Sequence, residues 1–156
     1  MNDPKSSIGW TEYFHRVARL TAKRSKDPTC QVGCVIVNPQ KKIVATGYNG
    51  MPTCENNDEV FPWVSKGKTK MDTKYVFVCH AEANAICNAT TSLKNCRMFV
   101  TRFPCNECAK LIAQSGIRVV YYEGEIDRDP DSKYCQVASM KIFTACNIRY
   151  VELTIL

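Results

Sequence analysis

No stretch of this chain approaches the roughly 18 to 20 consecutive apolar residues that a bilayer-spanning helix needs, so no membrane role is expected. The opening segment, MNDPKSSIGWTEYFHRVARL, lacks an apolar core between a basic start and a small-residue cleavage site. Secretion is therefore not expected, and the cytoplasm is the simplest home. Long basic blocks and aromatic-studded basic stripes are missing too. The net charge of +6 is compatible with a phosphorylated small molecule or with nucleic acid, but it does not force a polymer partner. Histidine is scarce, with only His15 and His80 in 156 residues. What is present is a 45% hydrophobic composition, enough for one sizeable core and too little chain for two ordinary domains. Ten cysteines would suggest a disulfide framework in a small exported protein. In a cytosolic chain of this length they read instead as buried thiols or metal ligands. Cys34 and Cys87, in apolar surroundings, are expected as core filler.

The pattern along the chain alternates. Residues from about Trp10 to Arg24 read as an amphipathic helix with Trp10, Tyr13, Phe14, Val17 and Leu20 on the apolar side, and Pro28 follows as a stop. QVGCVIVN (Gln31 to Asn38) and IVATGY (Ile43 to Tyr48) flank a turn signal and read as paired strands deep in a sheet. Asn49 to Thr73 has no periodicity and reads as a long loop, usually a functional one in a compact domain. Then come a helix from His80 to about Ala89, a strand over Arg97 to Thr101, a helix over Cys105 to Ser115 ended by Gly116, and a strand over Ile117 to Tyr122. A polar loop, a helix from about Ser132 to Cys146 and a last strand, IRYVELTI, complete the chain. Helices alternating with buried strands predict an α/β fold, a three-layer α/β/α sandwich around a five-stranded mixed sheet, formed as a single domain over residues 1–156.

The chemistry lies in two short segments. Cys105 and Cys108, in FPCNECAKLI, fall on one face at the start of a helix, where the helix N-terminus favours the thiolate that a zinc ion requires. His80, in VCHAEANAI, sits at the start of another helix. One imidazole and two thiolates would leave the fourth tetrahedral position open, the mark of a catalytic zinc centre. Glu82, two residues after His80, is placed to take a proton from a water beside the ion and pass it on. HAE at His80–Glu82 followed by PCNEC at Pro104–Cys108 matches the H-x-E, P-C-x-x-C signature of zinc nucleobase deaminases, in which the glutamate is acid and base but not a ligand. A lone C-x-x-C is weak, since it also serves redox couples and structural zinc. A redox couple would not need HAE. A closed zinc site would need a fourth ligand, which Cys79 or Cys54 could supply. His15 reads as a surface or half-buried residue rather than a ligand.

RSKDPTCQVG, GYNGMP, CHAEANAI and FPCNECAKLI together resemble the deoxycytidylate (dCMP) deaminases, a branch of the cytidine deaminase-like superfamily, in register from about Thr21 to Val120. The resemblance implies the same α/β/α sandwich and hydrolysis of dCMP to dUMP and ammonia in thymidylate precursor synthesis. It implies zinc on His80, Cys105 and Cys108, with Glu82 as the acid/base. It also implies pyrimidine contacts from the backbone around Ala81 and Pro104, and a nucleoside contact from Asn49, whose plain alternative is a turn role before Gly50. Phosphate contacts are implied near Arg24, Ser25 and Lys26, where a charge run is more often just a solvated face. Members of the family are typically homohexamers activated by dCTP and inhibited by dTTP, with the effector and Mg2+ near the loop that here holds Gly47, Tyr48, Asn49 and Gly50. This chain departs there, reading GYNGMPTCENNDEVFPW without the glycine that relatives carry after the proline. It departs again at YYEGEIDRDPDSKY, where the family often has a tyrosine near the base; Tyr122, Tyr134 or neither takes that place here. Two other classes remain open, an enzyme acting on a polynucleotide and a non-catalytic zinc module. Scattered basic residues argue against the first.

Overall fold

A computed structural model describes residues 7–154. Five strands, β1 (Gly33–Val37), β2 (Ile43–Tyr48), β3 (Arg97–Val100), β4 (Val119–Tyr122) and β5 (Arg149–Glu152), form one sheet in the order β2-β1-β3-β4-β5. β1 pairs antiparallel with both β2 and β3, while β3, β4 and β5 run parallel. The helices are α1 (Trp10–Ala22), the single turn α2 (Asn57–Val60), α3 (Ala81–Asn88), α4 (Asn106–Ser115) and α5 (Gln136–Ala145). The expected mixed five-stranded α/β/α sandwich is present. Ile155, the end of the predicted last strand, lies outside the described residues.

β1 is buried at every position because helices cover both faces of the sheet. Cys34 and Ile36 point into the larger core with Ala81 and Ala85 of α3, Ile112 of α4 and Phe143 of α5. Val35 and Val37 point the other way, onto Phe14 and Ala18 of α1 with Phe99. β2 was expected deep in the sheet but forms its edge, with Ile43, Thr46 and Tyr48 exposed. Its apolar residues exceed what one covered face can bury.

The face of α1 is a second correction. Phe14, His15, Ala18 and Ala22 are buried, whereas Trp10 and Leu20 are 53% and 72% exposed. The reason is close approach. A Cβ on Gly33 of β1 would stand 2.1 Å from the Ala18 carbonyl oxygen and 2.4 Å from the Ala22 amide nitrogen, so only small residues fit between helix and strand. His15 is buried as well, its Nε2 paired with the Glu123 carboxylate, which Arg19 also contacts. Cys34 fills the core as expected, but Cys87 is exposed on the outer side of α3. α5 begins at Gln136 rather than Ser132, because Cys135 adopts a left-handed φ of 39° and breaks the run. Within 49–79 the chain makes α2 and two short 3-10 turns, Lys70–Asp72 and Lys74–Val76. α4 ends at Gly116 in the left-handed region, at φ 82°, as its sequence predicts.

α3 is held to β2 with equally little clearance. A Cβ on Gly47 would lie 2.3 Å from the Ala85 amide nitrogen and 2.4 Å from the Ala81 carbonyl oxygen. The Asn84 and Asn88 amides donate to the Tyr48 and Thr46 carbonyls, fixing the register. Gly47→Ala is expected to cost about 1–3 kcal/mol or more, since backbone must move to admit the methyl group. Urea unfolding of parent and variant measures it, and equal midpoints would mean that α3 stands further from the strand.

Candidate active site

Two helix N-termini meet beyond the carboxyl ends of β2 and β3, which run the same way on either side of β1. His80 is the N-cap of α3 and Cys105 the N-cap of α4, each with extended backbone before its helix begins. His80 is set by the residue before it: Cys79 and Gly50 exchange both backbone hydrogen bonds, at 2.8 and 3.0 Å, tying the start of α3 to the chain leaving β2. The Cys105 sulfur accepts from the Cys108 amide at 3.5 Å. His80 Nδ1 lies 3.4 Å from the Cys105 sulfur and 3.5 Å from that of Cys108. The three donor atoms all lie within 4.8 Å of one another. Among the described residues no fourth histidine, cysteine or carboxylate joins them: Cys54 is exposed, and Cys79 directs its sulfur toward the Phe77 carbonyl. One imidazole and two thiols suit a zinc ion held on three sides.

The electrostatics favour that use. Cys105 is held down to about 4 by the hydrogen bond from Cys108 and by the His80 imidazole, against the opposing effect of burial. Cys108 is pushed up, because its partner already carries the shared negative charge and because it is buried. Bonding to Cys105 raises His80. Glu82, on the first turn of α3, is 4% exposed, and burial raises its carboxyl above the ordinary range while the nearby His80 opposes the shift. A carboxyl raised toward neutrality suits a group that must both accept and release a proton.

His80, Ala81, Glu82 and Cys105 line one cavity. Asn49 lines it too, with its amide fully engaged: Oδ1 accepts from the Val32 N–H at 2.8 Å, and Nδ2 donates to Asp27 and to the Cys30 carbonyl. Pro104 is fully buried just before Cys105 and does not line the cavity. Nor do Arg24, Ser25 or Lys26. The Ser25 hydroxyl donates to the Asn49 carbonyl, and Lys26 is paired with Asp58. Of the residues in the GYNG loop, Gly47 serves helix packing, the exposed Tyr48 lends its carbonyl to Asn84, and Gly50 bridges to Cys79. Tyr134 lines the cavity with its ring centroid 6.3 Å from that of His80, whereas Tyr122 is buried against Phe103.

Several wall residues carried no sequence signal. Lys74, from the long loop, reaches Asp27 with Nζ 2.6 and 2.7 Å from the two carboxylate oxygens. Both side chains are almost wholly buried. Asp27 also accepts from the Thr29 and Cys30 amides. Burial works to raise its carboxyl, but Lys74 and these donors hold it below the ordinary 3.8. Arg102 and Gln136 complete the wall. Lys74 and Asp27 meet across 47 positions of chain, so local spacing does not foretell the pair, whereas Arg102 lies three positions before Cys105 in the same segment.

The model of the cytidine and deoxycytidylate deaminase zinc-binding region matches residues 8–123. The chain belongs to that family. It is 55% identical over 126 residues to a deoxycytidylate deaminase of Homo sapiens, an alignment covering 80% of this chain and 70% of that one. A probable deoxycytidylate deaminase of Drosophila melanogaster is 46% identical over 153 residues, covering 94% and 73%. Among solved structures, the dCMP deaminase of cyanophage S-TIM5 in complex with dCMP and dUMP superposes with a TM-score of 0.71, covering 95% of this chain and 99% of that one. At 24% identity this last likeness shows the deaminase fold alone.

In this deaminase the Asp27–Lys74 pair ties the 49–79 loop to the cavity wall. Lys74→Met leaves Asp27 buried without its cation and is expected to cost about 3–5 kcal/mol near neutral pH. Because the folded-state value of Asp27 is depressed, the pair's contribution is fully present above the ordinary 3.8 and is lost as the pH falls through the lower folded value. Unfolding measured at pH 7 and pH 3 should therefore show the gap between parent and variant closing in acid. A gap of equal size at both would assign the loss to packing rather than charge.

Proposed function

We propose that the protein is a zinc-dependent hydrolase, a single deaminase domain, that converts dCMP to dUMP and ammonia. The observation that carries this reading is Glu82, buried at the start of α3 and lining the same cavity as His80 and Cys105, whose donor atoms cluster with the Cys108 sulfur. Likeness to deoxycytidylate deaminases of animals supports the choice of dCMP among possible amino-pyrimidines.

His80, Cys105 and Cys108 would hold the ion. When bound there, zinc supplies the Lewis acidity that makes water a competent nucleophile near neutral pH. Glu82 accepts a proton from that water as its oxygen adds to C4 of the cytosine ring, and delivers the proton to N3. It then takes the remaining hydroxyl proton and gives it to the departing amino group. The C4 carbonyl forms, the C4–N bond breaks and ammonia leaves. Atoms balance with one water consumed, and Glu82 ends as it began. Ala81 and Tyr134 line the cavity that the pyrimidine would fill.

An ammonia-release assay on the zinc-loaded protein across dCMP, CMP, deoxycytidine and a cytosine oligonucleotide tests the substrate, and dCMP is expected to be turned over fastest. Faster release from the oligonucleotide would replace this reading with the polynucleotide one. Adding dCTP or dTTP tests the regulation that the resemblance implies, with activation and inhibition respectively as the expected outcomes. Glu82→Gln should keep its zinc, by metal analysis, and its fold, yet lose at least about a hundredfold in turnover. A variant retaining more than about a tenth of the parent rate would remove Glu82 from the mechanism.

A further inference from the structure

Lys74, on the cavity wall, is already committed to Asp27, and Lys26, outside the wall, to Asp58. Arg102 and Lys133 are not. Among the described residues neither has a carboxylate within ion-pair distance. Asp127 is close enough to feel the charge of Arg102, but no nearer than that. Both cations instead rest on aromatic rings. The Arg102 guanidinium carbon lies 4.7 Å from the centre of the Tyr134 ring, and one of its terminal nitrogens approaches the Cys30 sulfur at 3.4 Å. Lys133 Nζ lies 3.1 Å from the centre of the Tyr75 ring and 4.8 Å from that of Tyr134.

The loop that carries Tyr134 is anchored on both sides. The Asn106 amide donates to the Tyr134 carbonyl at 3.1 Å, tying the loop before α5 to the start of the metal-ligating helix. Gln136 clamps the same loop, donating to the Phe103 carbonyl and accepting from the Asp127 amide. Arg102, Tyr75 and Tyr134 line the cavity, and Lys133 lines the groove that continues from it past Tyr75, His80 and Tyr134. A cation seated on an aromatic face is held in place without being neutralised, and an arginine fork so held is set to receive two oxygens of one anion.

We propose that Arg102 and Lys133, seated on Tyr134 and Tyr75, form the anion-binding rim of the cavity and take the phosphate of a nucleoside monophosphate, so that they set the preference for nucleotide over nucleoside. The proposal rests on the deaminase reading above. It assigns the phosphate to residues that the run Arg24, Ser25, Lys26 did not suggest, and Arg102 acts as a specificity-determining residue rather than a catalytic one.

The test compares kcat/KM for dCMP and for deoxycytidine in the parent, Arg102→Met, Lys133→Met, the double variant and Arg102→Lys. The ratio of the two values should fall about tenfold or more in Arg102→Met, further in the double variant, and to an intermediate level in Arg102→Lys. A ratio within about twofold of the parent in the double variant would overturn the proposal, since a merely structural loss lowers both substrates together. Calorimetry of dUMP against deoxyuridine on the zinc-loaded proteins reads the same rim without turnover. Tighter binding of dUMP that the double variant abolishes supports the assignment; tighter binding that survives it overturns the assignment. If neither dCMP nor deoxycytidine is deaminated, the reaction assigned above fails, and the rim is then judged by the calorimetry alone.

Discussion

Everything at the site depends on two helices starting at one point. A helix N-cap has extended backbone, and its side chain lies over the first turn, so the residue at that position is aimed by the whole helix rather than by a flexible arm. Here the caps of α3 and α4 are His80 and Cys105, and Cys108 lies one turn beyond Cys105. Bringing three donor atoms within 4.8 Å of one another therefore reduces to placing two helix axes. That placement is enforced by contact: α3 lies so close to β2 that Gly47 admits no side chain, and the Gly50–Cys79 bridge fixes where the helix begins.

The same geometry explains the electrostatics. A carboxyl as buried as Glu82 is expensive to ionise, and its environment compensates only in part, through the neighbouring imidazole. The thiols lie beside it at the positive end of α4, where one of them is readily deprotonated. The charged form is thus favoured at the sulfur and disfavoured at the carboxyl. This is the division of labour that a ligand and a proton carrier require.

How much of this could be read from the sequence follows from distance along the chain. His80 and Glu82 sit two positions apart and Cys105 and Cys108 three apart, so helical periodicity alone puts each pair on one turn. The strands of the sheet were legible because apolar runs bounded by turns mark them. Asp27 and Lys74 were not legible, since a lysine in an aperiodic loop carries no sign of the carboxylate it will meet. The buried side of α1 was misread for a related reason. Periodicity weighs apolar size, but the Gly33 contact rewards smallness, so Ala18 and Ala22 face inward while Leu20 faces out. Cys87 failed likewise, because α3 is covered on one side only.

The long loop before α3 depends on the same carboxylate at both of its ends. Between Asn49 and His80 the chain forms little regular structure, yet it must deliver His80 with sub-ångström regularity if a metal centre is to form at all. Two anchors make that possible. At its start, Asn49 is locked by three hydrogen bonds to residues 27–32, one of them to Asp27 itself. Near its end, Lys74 is drawn onto the same Asp27. A single buried carboxylate thus receives both ends of the loop, and the charge that Lys74 spends there is unavailable to a ligand. A cavity with this construction must draw its affinity for an anionic substrate from cations that the scaffold leaves uncommitted, and Arg102 and Lys133, resting on tyrosine rings, are two such cations.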